Sequence, residues 1–387
     1  MEAIELIELI GRGEDSRNQF KQSQDVSNAQ SLAGELAAFS NSKGGRILIG
    51  VSDQGTLIGV SQADVRRLNE LLSNTATNNV KPAINLETEN VSVGDKLVVV
   101  VVTVREGISK PYADNAGVFW VKSGADKRRV TSREEVQRML QSVGLVHADE
   151  VPVEDATITD VDLDHFRTFF EKHYGEPLED GAAPLTLLLE NLNLGKGGTL
   201  NLAGLLLFAR NPQRLRPAFV MKAVCFVGND PAGEKYRDSE DIGGCLRDLH
   251  ARTMSFLLRN LRRVQAGQGF NTEGELEVSQ AALEELVVNM LLHRDYFIAA
   301  PWRVLIFDDR IELVSPGALP NNLTVEHIRN GVSNMRNPLI ASFATKELPY
   351  RGIGTGIRRA LAAVPELGLE SDHERNLFTA RIPRNQV

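Results

Sequence analysis

Apolar positions along the chain follow two rhythms, and together they predict alternating helices and strands. Leu286, Val287, Val288, Met290, Leu291 and Leu292 make the run 279–292 apolar almost all round, which predicts a helix buried on most sides. Leu246, Leu249, Thr253, Phe256, Leu257, Leu261 and Val264 recur at helical spacing, predicting a long amphipathic helix over 240–264. Its stripe is either a core face or a dimer interface. Further helices are predicted over 31–41, 162–174 and 357–364. Strands are predicted over 46–51, 219–227 and 377–382, with a hairpin over 302–314 that turns at Asp308 and Asp309. Gly44-Gly45 ends the first of these helices, Asp53-Gln54-Gly55 supplies a hairpin turn, and 194–200 reads as another turn.

Length turns this pattern into an α+β multidomain expectation, because 387 residues exceed what one core usually serves. The acidic stretch 148–156, with Asp149, Glu150, Pro152, Glu154 and Asp155, reads as a linker. The expected division is therefore an N-terminal domain 1–147, a linker and middle connecting region 148–268, and a C-terminal domain 269–387. Met1–Ile10 carries Glu2, Glu5 and Glu8 and no basic start, unlike a secretory leader, and no apolar run approaches the ~20 residues of a membrane span. Cys225 and Cys245 lack metal spacing and read as reduced, which fits a cytoplasmic protein. A formal net charge of −8 argues against coating nucleic acid by bulk electrostatics.

Candidate chemistry lies on two helical features near the C-terminus. Glu285, Asn289 and His293 follow one another at spacings of four, so they share a helical line. In an apolar setting such polar groups need partners: a hydrated magnesium ion and phosphate oxygens, or neighbouring backbone. A carboxylate there can orient an attacking water. His293 is either a phosphate contact or a structural histidine. Gly352-Ile353-Gly354-Thr355-Gly356 opens the helix expected at 357–364, and such a turn is either a phosphate cradle or a packing device. Near the other end, Lys122, Lys127, Arg128 and Arg129 gather beside Phe119-Trp120. That patch can grip a phosphate backbone and stack a base, or it is a solvated strand end.

The order of these motifs carries a resemblance. Leu283-Glu284-Glu285-Leu286-Val287-Val288-Asn289, His293-Arg294-Asp295-Tyr296, the stretch 308–317 ending Ser315-Pro316-Gly317, Arg336-Asn337-Pro338 and Gly354-Thr355-Gly356-Ile357 occur in sequence. They resemble the ATP-binding fold of the gyrase, heat-shock chaperone, histidine kinase and mismatch-repair (GHKL, Bergerat-type) superfamily. The bacterial subgroup labelled RecG-like ATP-binding proteins or transcriptional regulators is the nearest in pattern. The resemblance implies an α/β sandwich using ATP and magnesium. Asn289 would hold the metal and Glu285 would activate water. His293, Ser315, Gly317, Gly352, Gly354, Thr355 and Gly356 would surround the nucleotide. Ser315 stands where superfamily members carry the Asp that reads adenine. His293-Arg294-Asp295 is not a kinase loop, since its companion motifs are missing, and Arg294 and Asp295 are expected to pair. There is no Walker-type loop of the kind a helicase motor uses.

A second resemblance covers about the first 145 residues. Glu14 through Lys21, 44–60, Lys110-Pro111-Tyr112, 118–125 and Thr131-Ser132-Arg133-Glu134-Glu135 resemble the Schlafen AlbA-type domain. It implies nucleic-acid binding, DNA ahead of RNA, through Arg46, Trp120, Lys122, Lys127, Arg128 and Arg129. Nuclease members hold a metal with three acids, and here Glu14 and Asp53 fill two places while Gln19 replaces the third. The combined expectation is a nucleotide-responsive, DNA-binding transcriptional regulator switched by ATP and magnesium, with weak ATPase activity and with 320–350 ordering as a lid. The alternatives are a metal-dependent nuclease or phage-defence effector using Glu14 and Asp53, and a scaffold with a decayed nucleotide site. Homo-oligomerisation stays open.

Overall fold

The computed structural model describes residues 2–94, 96–175, 178, 184–233, 235–264, 274–320 and 323–384. They form a multidomain α+β protein of two compact units, 1–146 and 147–387.

The first unit is organised by Leu97–Val104, a run of valines at the centre of a five-stranded sheet. It pairs antiparallel with Gly45–Ile49, Leu86–Gly94 and Val60–Ser61, and Asn18–Lys21 adds to Gly45–Ile49 in parallel. A strand covered on both faces reads as continuous apolar sequence. Alternation sends Ile47, Ile49, Val98, Val100 and Val102 to one face, against helix Ala29–Asn41. Leu48, Val99, Val101 and Phe20 go to the other, against Leu6 and Ile10 of helix Ala3–Gly11. Asn28 starts helix Ala29–Asn41 by accepting from the N–H groups of Gln30 and Ser31. Asn41 ends it as a hub: Nδ2 donates to the carbonyls of Tyr112 and Trp120, both at 2.8 Å, and Oδ1 accepts from Tyr112 N–H at 2.7 Å.

The second unit is built on a six-stranded sheet in the order Tyr236–Ile242, Met221–Phe226, Trp302–Ile306, Arg310–Pro316, Leu377–Pro383, Gly368–Asp372. All neighbours are antiparallel except Met221–Phe226 and Trp302–Ile306, whose parallel register runs from Met221 opposite Trp302 to Cys225 opposite Ile306. The expected middle region and C-terminal domain thus share one sheet and one core. Helices Leu246–Asn260 and Gln280–Leu292 are part of that core, through Leu249, Phe256, Leu257, Leu283, Val287 and Leu291.

Four expectations change here. The stretch 148–156 is no linker: it folds as a short 3-10 turn, Ala148–Glu150, and a strand, Pro152–Thr157, with Val153 and Ala156 buried. Helix 240–264 begins only at Leu246, because Gly243-Gly244 separates it from strand Tyr236–Ile242. Its apolar stripe lies in the unit's own core, which removes the dimer-interface reading, and Arg252 and Arg259 pair with Glu240 and Asp238. The segment 320–350 is not one lid, since Ile340, Phe343 and Ala344 of helix Pro338–Glu347 are buried. Asn337 Nδ2 also donates to the carbonyls of Leu292 and Arg294. Within it, 323–336 is the part outside that anchored helix.

Candidate functional site

Ser279 Oγ accepts from Ala282 N–H and starts helix Gln280–Leu292, which fixes the rotation of its polar line. Asn289 Nδ2 donates to the carbonyl of Glu285 at 2.7 Å, so its Oδ1 is the atom left to face a cation. Helix Gly356–Ala363 approaches this line from the side. A Cβ at Gly356 would stand 2.4 Å from Glu285 Oε2 and 3.2 Å from Asn289 Nδ2, so any side chain there would push the Glu285 carboxylate aside. Gly354 has φ of 72°, a conformation glycine adopts without penalty.

Sequence spacing does not reveal what holds Glu285. Its Oε1 forms an ion pair with Nη2 of Arg359, 74 positions later and one turn into the glycine-led helix. No local signal links the two residues. Tyr350 lies in the same neighbourhood, its hydroxyl pushed up by burial and by the Glu285 charge.

Every residue expected to surround the nucleotide lines one cleft: Glu285, Asn289, His293, Ser315, Gly317, Gly352, Gly354, Thr355 and Gly356. The cleft encloses about 1090 Å3 including its open mouth. Its lining includes the apolar Leu286, Met290, Leu313, Phe378 and Ala380 beside these polar groups. Burial and the neighbouring Arg336 guanidinium hold His293 down to about 4, so it is a neutral imidazole at neutral pH. Arg336 Nη2 donates to the Ala318 carbonyl at 2.6 Å. Ser315 is buried, and its Oγ donates to the Met290 carbonyl at 3.2 Å. With its proton used there, the hydroxyl presents lone pairs.

Arg294 does not pair with the Asp295 carboxylate as expected. It is fully buried, donates to the carbonyls of Ile298 and Ala300 at 2.6 and 2.7 Å, and sits 4.3 Å from the Trp302 ring centre and 4.7 Å from that of Phe219. Asp295 Oδ1 instead accepts from Phe297 N–H. Asp308 and Asp309 do form the turn between Trp302–Ile306 and Arg310–Pro316.

In the N-terminal unit the expected basic patch divides. Strands Trp120–Ser123 and Asp126–Arg129 form a hairpin with Trp120 opposite Arg129 and Lys122 opposite Lys127. Arg129 and Lys127 lie 5.2 and 5.4 Å from the Trp120 ring centre, and Trp120 Nε1 donates to Asp114. Lys127 also pairs with Glu35 at 2.9 Å, and Arg128 donates to Glu135 at 2.9 Å. Arg46 is not brought to this group. It alternates with Ile47 on Gly45–Ile49 and shares a different cleft with Glu5, Glu8, Arg12 and Glu89, on the opposite sheet face from the Trp120 core.

Lys122 is the inward member. Its ammonium donates to Gln19 Oε1 at 3.1 Å and to the Ala125 carbonyl, and lies 4.7 Å from the Phe39 ring centre. Burial lowers its basicity, against the opposing charges of Glu35, Glu14 and Asp126. Glu14 Oε1 accepts from Phe20 N–H at 2.7 Å, whereas Asp53 is exposed on its turn. Among the described residues no group of three or more His, Cys, Asp or Glu could hold a metal ion. Lys122 places its ammonium beside Gln19, the residue that stands where a third acid is expected.

Residues 14–131 match the family model described as "Schlafen, AlbA_2", and residues 300–378 match the one described as "Putative ATP-dependent DNA helicase recG C-terminal". Among solved structures, the DIP2311 protein of Corynebacterium diphtheriae aligns with a TM-score of 0.47 at 17% identity, covering 99% of this chain and 69% of its own. The N-terminal domain of a RecG-related protein from Nitrosomonas europaea aligns with a TM-score of 0.26 at 23% identity, covering 34% of this chain and 96% of its own. No curated protein matches the chain. No helix among the described residues is long and apolar enough to cross a membrane.

Proposed function

From a chain that carries an N-terminal Schlafen AlbA_2 domain and a C-terminal RecG-like ATPase-type domain, we propose a cytoplasmic nucleic-acid-binding protein whose DNA-bound state responds to ATP and magnesium, used in transcriptional regulation. The observation that carries this reading is the convergence of Glu285, Asn289, His293, Ser315 and the glycine turn on one cleft.

The donor set fits a nucleotide with magnesium. The amides of the glycine turn and of the helix start at Gly356 bind phosphate oxygens, with the helix dipole favouring negative charge. Asn289 Oδ1 serves the cation, which needs few protein ligands and shields phosphate charge when bound. Apolar Leu286, Met290, Leu313 and Phe378 take the base, and Ser315 Oγ accepts from an exocyclic amino group. Glu285 orients a water once its carboxylate is free of Arg359. In the N-terminal unit, Arg129 and Lys127 border the Trp120 ring as the group to meet a phosphate backbone, with Arg128 on the alternate face of the hairpin.

Titration of the full chain with ATP, with and without magnesium, tests the cleft. Wild type binds with magnesium dependence and Asn289→Ala loses that dependence; a wild type that binds no nucleotide would leave the decayed-site scaffold as the better reading. Repeating a DNA-binding titration with and without ATP tests the coupling, and identical salt-matched curves would remove it.

A further inference from the structure

Glu285 meets two incompatible demands. To orient water it needs a free carboxylate, yet its Oε1 is tied to Arg359. The two partners are not equally mobile by environment. Glu285 is only 14% exposed, with Oε2 pressed against Gly356, whereas the Arg359 side chain is 44% exposed. When the pair opens, the arginine is the group with room to swing.

A guanidinium fork suits a carboxylate and a phosphate equally well in shape. Arg359 follows Gly356 by three residues on one helix, so it stands next to any anion held by the glycine turn and the first helical amides. A terminal phosphate carries more charge than the carboxylate and competes for the same fork. A diphosphate lacks that terminal group, so on this reading it leaves the pair closed.

We propose that Arg359 is a phosphate-responsive gate on Glu285: closed on the carboxylate in the free protein, and drawn off it by the terminal phosphate of a nucleoside triphosphate. This rests on the nucleotide reading above and deepens it, assigning discrimination between tri- and diphosphates to one side chain. The gate also makes the carboxylate available only when a triphosphate is present. Arg359 is a positioning residue that acts through Glu285.

The test is a set of dissociation constants for β,γ-imido-ATP and for ADP, both with magnesium, measured on the full chain. Wild type prefers the imido analogue. Arg359→Gln reduces that preference by roughly tenfold or more, the scale of a hydrogen bond to a charged group, and Arg359→Lys restores part of it. Glu285→Gln releases the arginine and tightens the imido analogue, and that gain disappears when Arg359 is also Gln, because the two act as one unit. A melting curve for each variant reports its fold. An unchanged preference in Arg359→Gln, or tightening by Glu285→Gln that persists in the double variant, overturns the gate while leaving the nucleotide reading intact. Failure of wild type to bind either nucleotide overturns both.

Discussion

Asp149 accepts a hydrogen bond from the backbone N–H of Ile340 at 2.9 Å, capping helix Pro338–Glu347 from a position 191 residues earlier. The carboxylate is fully buried, and burial pushes it up to about 6 against the stabilising Ile340 bond. Next to it, His147 Nδ1 makes a 3.0 Å hydrogen-bond contact with the carbonyl of Arg336, a residue of the cleft. The start of the second unit is therefore fastened beside its candidate cleft.

The Asp149 shift fixes the sign of a pH effect. In the folded state Asp149 holds its proton up to about 6, whereas the free side chain loses it near 3.8. Its contribution is greatest below the lower value and is lost as pH rises through the upper one. Asp149→Asn should therefore gain relative to wild type on going from pH 4 to pH 7, by up to about 3 kcal/mol, measured by urea unfolding at each pH. A difference between the two proteins that is independent of pH would refute the assignment.

His293 acts in the opposite direction. Held down to about 4 against 6.5 for a free imidazole, it leaves the unfolded chain binding the extra proton between those values, so stability falls as pH drops through that window. His293→Gln should lose less stability than wild type on acidification from pH 7 to pH 4. Because Asp149 and His293 oppose each other, the Asp149→Asn variant should show the steeper acid loss of the two, read by thermal melts across the range.

Gly356→Ala separates stability from function. Alanine restricts the unfolded chain, a gain of up to about 1 kcal/mol, but its Cβ would meet Glu285 Oε2 at 2.4 Å and displace that carboxylate. Nucleotide affinity should fall roughly tenfold or more, as when a charged hydrogen-bonding group is displaced, while the melting temperature holds. Equal affinity for wild type and variant would show that Glu285 does not need this contact.

Lys122 predicts a change of cation. Lys122→Met with Gln19→Glu removes an ammonium whose charge acts on Glu14 and adds a carboxylate where that ammonium now meets Gln19. Manganese titration by calorimetry should show a binding isotherm in the double variant that Glu14→Ala abolishes. Heat of the same size in wild type would mean that Lys122 does not stand in for a metal.

Local chemistry was readable along the chain where neighbours in sequence are neighbours in space. The helix at Gln280–Leu292 and the Asp308–Asp309 turn follow from a nearly continuous apolar run and from turn residues alone. What could not be read depends on pairs far apart: Arg359 with Glu285, Asp149 with Ile340, and the parallel register of Met221 with Trp302. Arg46 is a different case. Its neighbours Ile47 and Leu48 belong to opposite faces, so strand alternation separates Arg46 from Trp120.

The parallel pairing of Met221–Phe226 with Trp302–Ile306 bears on any attempt to isolate the ATPase-type region. A fragment starting at 269 would leave Trp302–Ile306 without its neighbour, exposing the backbone edge of a strand whose Trp302, Val304 and Ile306 are buried in the intact unit. An apolar edge of that kind templates pairing with other chains. Such a fragment should be recovered as aggregate, and the smallest soluble piece carrying the cleft should begin near His147.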